Sequence, residues 1–178
     1  MSPAARFPDG LERRAAAELR AAGRKLEGYA AVFNTVAKIG SFNETIQPGA
    51  FRASLAGRGD VLALVDHDPG RLLARTSSGT LRLEEDARGL RFSLDVPDTQ
   101  LGRDILALAE RRDLGGMSFG FRVRDEAWPA TDRRELRAVE LIEVSVVHGW
   151  PAYSATAVEA RMRETLSTMA RRRFLETL

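Results

Sequence analysis

Three side chains of the types used in acyl transfer lie far apart in the chain: His67, Ser118 and Glu143. Ser118 sits between two glycines, in the G-x-S-x-G pattern Gly116-Met117-Ser118-Phe119-Gly120. An attacking hydroxyl needs a base to take its proton, and that base needs a partner that fixes its tautomer. His67 follows the apolar run Val61–Val65 and precedes the turn residue Pro69. An imidazole there suits general base work, because its ordinary pKa lies near 6.5. Glu143 interrupts the apolar run "LIEVSVV", where a carboxylate is costly unless partnered.

Each residue also has a plainer reading. G-x-S-x-G marks a nucleophile elbow only when a strand precedes the serine and a helix follows. Here a helical pattern precedes and an alternating strand follows, which argues against the elbow, and Ser118 could be a small polar residue at a helix-to-strand junction. His67 could be a surface histidine in a polar turn, and Glu143 a water-facing glutamate on an edge strand. Strand alternation puts Ser118, Gly120, Arg122 and Arg124 on one face and Phe119, Phe121 and Val123 on the other, with Gly120 leaving room beside the serine. By the same rule Asp66 and Asp68 face away from His67, and Glu143 and His148 face opposite ways. Another group must then orient His67, and Glu143 could do so from a neighbouring strand.

The elements that must position these residues read as follows. "LERRAAAELRAAGRK" (11–25) has a helical stripe of Leu11, Ala15, Leu19 and Ala22. "KLEGYAAVFN" is a strand, "TVAKIGSFNETIQPGAF" loop and turn, and "PGAFRASL" a short helix opened by Pro48. "DVLALVDHD" is a buried strand. "GTLRLEEDARGLRFSLDVP" is a hairpin turning at Asp86–Gly89. "TQLGRDILALAERRD" is a helix capped by Asp98 or Thr99. "MSFGFRVRDEAW" and "RELRAVELIEVSVV" are strands, the second kinked, and the chain closes on a helix with Arg171, Arg172 and Arg173 near its end. Strands and helices do not alternate, which argues against a doubly wound sheet. The expected class is α+β, mainly β, built as a partly closed β-barrel surrounded by helices.

Composition narrows the chemistry. The chain has 178 residues, no cysteine and two histidines, His67 and His148. Thiolate metal sites and disulfides are excluded, and a histidine-rich zinc site is not expected. No cofactor is expected. Net charge is only +2, with the basic residues interspersed among acids, the pattern of a solvated surface more than of a nucleic-acid footprint. No apolar run approaches the ~18 residues of a membrane span, and "MSPAARFPDG" lacks the apolar core of a secretion signal, so a cytosolic protein is expected.

The ordered segments "LEGYAAVFNTVAKIGSFNETIQPGAFRASL", "VLALVDHDPGRLLART", "GGMSFGFRV" and "LIEVSVVHGWPAY" resemble the Caudovirus prohead serine protease family, itself similar in fold to the herpesvirus capsid-assembly protease. The resemblance covers about residues 26–160. It implies His67 as general base, Ser118 as nucleophile and Glu143 as the third member, where the herpesvirus enzymes use a second histidine. It also implies an oxyanion hole near the stretch "HGWPAY", which has no arginine, so backbone N–H groups around Gly149 are the expected donors.

The same resemblance implies a herpesvirus-protease-like barrel over 26–155, with a helical appendage at 1–25 and a C-terminal helix or tail at 156–178. Its substrates would be the scaffolding part of the major capsid protein precursor and the chain itself, cut inside assembling proheads in the bacterial host cytoplasm. A phage, a prophage or a gene-transfer particle would be the source, and a second copy of the chain is a further expected partner. Neither specific nucleic acid nor membrane is expected as one. Two rival classes remain: a catalytically inactive capsid-assembly factor of the same fold, and a small nucleic-acid-binding barrel.

Overall fold

A computed structural model describes residues 10–149, apart from residues 17 and 58. The elements in chain order are β1 (Glu12–Ala16), β2 (Glu18–Ala22), β3 (Lys25–Val32), β4 (Ala37–Ile39), β5 (Phe42–Ile46), α1 (Arg52–Ala56), β6 (Leu62–Val65), β7 (Asp68–Arg75), β8 (Leu81–Glu85), β9 (Gly89–Asp95), α2 (Gln100–Glu110), β10 (Gly116–Ala130) and β11 (Arg133–Val147).

The strands form two sheets. One runs β1-β10-β11-β5-β4, with β6 also paired to β11 and β7 to β6; the other runs β2-β3-β9-β8. The mainly β expectation holds, but the closed, helix-surrounded barrel does not. β4, β7 and β8 each pair on one side only, so the sheets end in open edges. Among the described residues only α1 and α2 are helical, too little to surround a barrel. The sheets instead face each other across one core. Met117, Phe119, Phe121, Val144 and Val146 come from the first, and Leu26, Leu90, Phe92 and Leu94 from the second. Phe51, just before α1, packs edge-on against Phe119 with ring centroids 5.6 Å apart. From α2, Ile105 and Ala109 enter the same core.

The helix expected over 11–25 is instead a pair of strands. β1 pairs with β10 in the first sheet and β2 with β3 in the second, so this stretch carries the chain from one sheet to the other. Its helical stripe was misleading because the inward residues of β1 are charged. Glu12 is buried against Arg134, with Nη1 to Oε2 at 2.7 Å and Nη2 to Oε1 at 2.9 Å. Arg14 Nε donates to Glu44 Oε1 at 2.6 Å. The loop expected around residues 35–47 contains β4 and β5 for a similar reason, since Glu44 points inward between Phe42 and Ile46.

β11 carries parallel partners on one edge: β5 against its start (Arg133–Leu136) and β6 against its end (Glu143–Val146). The α1 segment fills the gap between them. Val139 N–H donates to Ala50 O at 2.9 Å and Leu141 N–H to Ser54 Oγ at 2.9 Å. The backbone of β11 is thereby satisfied through its middle. Pro48 lies in the turn before α1, and Thr99 rather than Asp98 caps α2, accepting from Gly102 N–H at 3.1 Å. The expected C-terminal helix lies outside the described residues.

Candidate active site

β10 and β11 run antiparallel, and their register sets two rows across the sheet. Ala15, Ser118, Ser145 and Leu64 lie side by side, and next to them Arg13, Gly120, Glu143 and Leu62. Opposed residues share a face. Ser118, Gly120, Glu143 and Ser145 therefore stand together, on the face away from Phe119, Phe121, Val144 and Val146. The register shifts between Gly120 and Phe121, where β11 passes from Glu143 to Leu141 and Ile142 becomes the extra residue. A bulge of this kind re-aims the side chain beside it.

Glu143 is buried, on a central strand, which removes the reading of a water-facing edge glutamate. Its carboxylate is well partnered. His67 Nδ1 lies 2.6 Å from Oε1, and the Ser145 hydroxyl donates to Oε2. Arg13 Nε lies 3.8 Å from Oε1. Gly120 leaves the space: a Cβ there would come 3.0 Å from Glu143 Cδ and 3.1 Å from Cγ, and closer still to Oε1. The room that the sequence placed beside the serine belongs to this carboxylate. A carboxylate only accepts, so Nδ1 carries the proton and Nε2 is the nitrogen left to accept another.

His67 reaches Glu143 from a turn, not a strand end. β6 stops at Val65, which pairs with Asp68. Asp66 and His67 are the two turn residues, with φ of 51° and 62°. Positive φ at both positions is the pattern of a type I′ turn, which favours asparagine and glycine. A histidine there stores roughly 1–3 kcal/mol of backbone strain, held only because its surroundings demand it.

The strand-based expectation for Asp66 therefore fails in its premise, and Asp66 turns to the other histidine. His148 N–H donates to Asp66 Oδ1 at 2.9 Å, His148 Nδ1 lies 2.6 Å from Oδ2, and Arg71 Nη1 donates to Oδ2 at 2.9 Å. Burial works to raise the Asp66 pKa, but the His148 backbone and ring and Arg71 outweigh it and hold the carboxyl below its ordinary value. His148 is thus engaged with Asp66 while His67 is engaged with Glu143.

Ser118 is 3% exposed, and its hydroxyl donates to the backbone carbonyl of Arg14 at 2.8 Å. Its hydroxyl makes no hydrogen bond to His67. The sequence missed Ser145, Arg13 and the Arg14 carbonyl. Ser145 carried a signal, lying two residues from Glu143 on the same strand face. Gly149 is exposed, directly after His148, and a Cβ there would meet nothing within 4 Å. No group of three or more His, Asp or Glu side chains among the described residues could hold a metal ion. No described helix is long and apolar enough to cross a membrane.

Searches of curated proteins and of solved structures returned no match. The family model of the Caudovirus prohead serine protease matches residues 11–171, a span that takes in β1 and every element of the site. The chain belongs to the Caudovirus prohead serine protease family, whose members are serine peptidases of prohead maturation.

Proposed function

We propose that this chain is a serine endopeptidase in which Ser118 attacks, His67 takes its proton and Glu143 orients the imidazole. The observation that supports it is the 2.6 Å contact between His67 Nδ1 and Glu143 Oε1, made in the strand row next to Ser118. In this reading the Ser118 hydroxyl leaves the Arg14 carbonyl, its partner in the structure, and donates to His67 Nε2 instead. Ser118 Oγ then adds to the scissile carbonyl as Nε2 takes its proton. His67 returns that proton to the leaving amine, and water releases the acyl group by the same exchange. Glu143 holds the Nδ1–H tautomer and stabilises the imidazolium. Backbone N–H groups around Gly149 are the proposed oxyanion donors.

The substrate of this reading is the scaffolding part of the capsid precursor, with the chain itself as a second target, cut inside the assembling prohead. Peptide-bond cleavage there removes the scaffold without a cofactor. A second reading is favoured by one observation: Ser118 is buried and its hydroxyl already committed to Arg14. An inactive assembly factor of the same fold would look this way.

Co-expression with the neighbouring capsid precursor separates the two. Intact masses are taken of both proteins, wild type beside Ser118→Ala. A precursor trimmed by wild type and left whole by Ser118→Ala supports the peptidase. A precursor that assembles full length with both supports the assembly factor.

A further inference from the structure

His67 hangs from a two-residue turn whose backbone glycine would suit better. The turn needs something to hold it, and the holding groups all converge on its other residue. The Asp66 carboxylate takes the His148 N–H, the His148 ring and the Arg71 guanidinium, and Asp66 N–H donates to Val146 O at 2.9 Å. His148 directly follows β11, the strand that carries Glu143. The clamp therefore ties the turn bearing His67 to the strand bearing its partner. Asp66, His148 and Arg71 are each partly exposed, so these bonds add little to global stability. What they fix is a geometry.

We propose that Asp66, clamped to His148 and Arg71, is a positioning residue that sets the His67 ring on Glu143. This rests on the reading of His67 and Glu143 as base and orienter. It also gives the second histidine a function: His148 is the anchor of the turn.

The test uses the fact that the full chain holds only two histidines. Nitrogen-edited imidazole NMR resolves both rings, and His67→Ala assigns them. In wild type, His67 Nδ1–H is expected far downfield, as a short bond to a carboxylate requires. In Asp66→Ala that signal is expected to be lost or to move upfield, with the far-UV circular dichroism unchanged. Labelling of Ser118 by a fluorophosphonate is expected to fall about tenfold or more, as misplacement of a reacting group does, and peptide turnover to lose kcat with KM unchanged. Asp66→Asn is expected to recover much of each signal, because asparagine tolerates positive φ and still accepts the His148 N–H.

A His67 Nδ1–H resonance that stays in place in Asp66→Ala overturns the proposal. A His67 resonance that stays in place in His148→Ala overturns it too, since His148 would then not anchor the turn. The NMR readout needs no catalysis, so silence of the wild type toward the probe and the precursor would count against the peptidase reading alone. Should Asp66→Ala fail to fold, Asp66→Asn and His148→Ala carry the same comparison.

Discussion

The carboxylate of Glu143 lies over the bare Cα of Gly120, its register partner on the neighbouring strand. The glycine of the G-x-S-x-G pattern is thus explained by the acid and not by the serine. Any Cβ at 120 occupies the place of an oxygen that His67 and Arg13 both approach.

Gly120→Ala should therefore impair the site more than the fold. The carboxylate sits at the end of a side chain and can swing aside, so the mutant still folds. The swing breaks the His67 contact, and a displacement of about 1 Å there costs on the order of a hundredfold in rate. Peptidase assays with the precursor segment should show kcat reduced and KM held, beside a near-native thermal midpoint. Wild-type kcat in Gly120→Ala would mean that Glu143 does not act through its observed position.

Ser145 gives a second handle on the same carboxylate. Its hydroxyl is fully buried and donates to Glu143 Oε2. Ser145→Ala leaves a buried carboxylate oxygen without that donor, a change that typically costs about 1–3 kcal/mol. Denaturant titration should show that loss as a lower midpoint at unchanged slope. Activity should fall less than in Glu143→Ala, because His67 keeps its partner. Equal activity in the two variants would show that the hydroxyl and the carboxylate work as one unit.

How far the sequence could be read depended on where charge points. β6, the β8–β9 hairpin, α2, β10 and β11 all present apolar residues on one face, and their periods were visible. β1 and β5 were not, because Glu12, Arg14 and Glu44 take places where an alternating strand shows aliphatics. Their partner Arg134 belongs to β11, more than a hundred residues from Glu12, and no local window links them. The same contrast holds at the site. Face alternation argued against Asp66 and Asp68 as partners of His67 and left Glu143 as one possibility, and Glu143 and His67 do meet. It also kept Asp66 off the His67 ring, and Asp66 does bind His148 instead, although Asp66 and His67 form a left-handed turn and not a strand.

That buried network predicts the cost of breaking it. Arg134 is held between Glu12, Glu44 and Glu126; burial lowers its pKa, and these carboxylates outweigh that and raise it. Glu12→Gln weakens two buried bonds from Arg134 and one from Arg14, while Glu44 and Glu126 still face Arg134. Glu12→Gln should destabilise by roughly 1.5–3 kcal/mol, the worth of hydrogen bonds to charged groups, which for a chain of this size lowers Tm by on the order of 5 °C. Calorimetry on the purified variant measures it. A shift of only a degree or two would mean that water reaches the cluster and screens it.

Glu12 also fixes the direction of the acid response. Burial alone would raise its pKa, but the bonds and charges of Arg134 and Arg14 win and hold it below its ordinary value. The unfolded chain therefore binds this proton at a higher pH than the folded one does. In the window between those two values the unfolded state carries more protons, so stability rises with pH. The contribution is fully present above the ordinary glutamate pKa of about 4.3, and fades as pH falls through the depressed folded value. Tm measured from pH 7 down to pH 2 should stay level to about pH 5 and then drop, with the drop flattened in Glu12→Gln, which has no proton to take up there. A wild type and a Glu12→Gln whose Tm curves run parallel through that window would show that Glu12 is not held ionised by Arg134, and that β1, the strand paired beside Ser118, is anchored by other contacts.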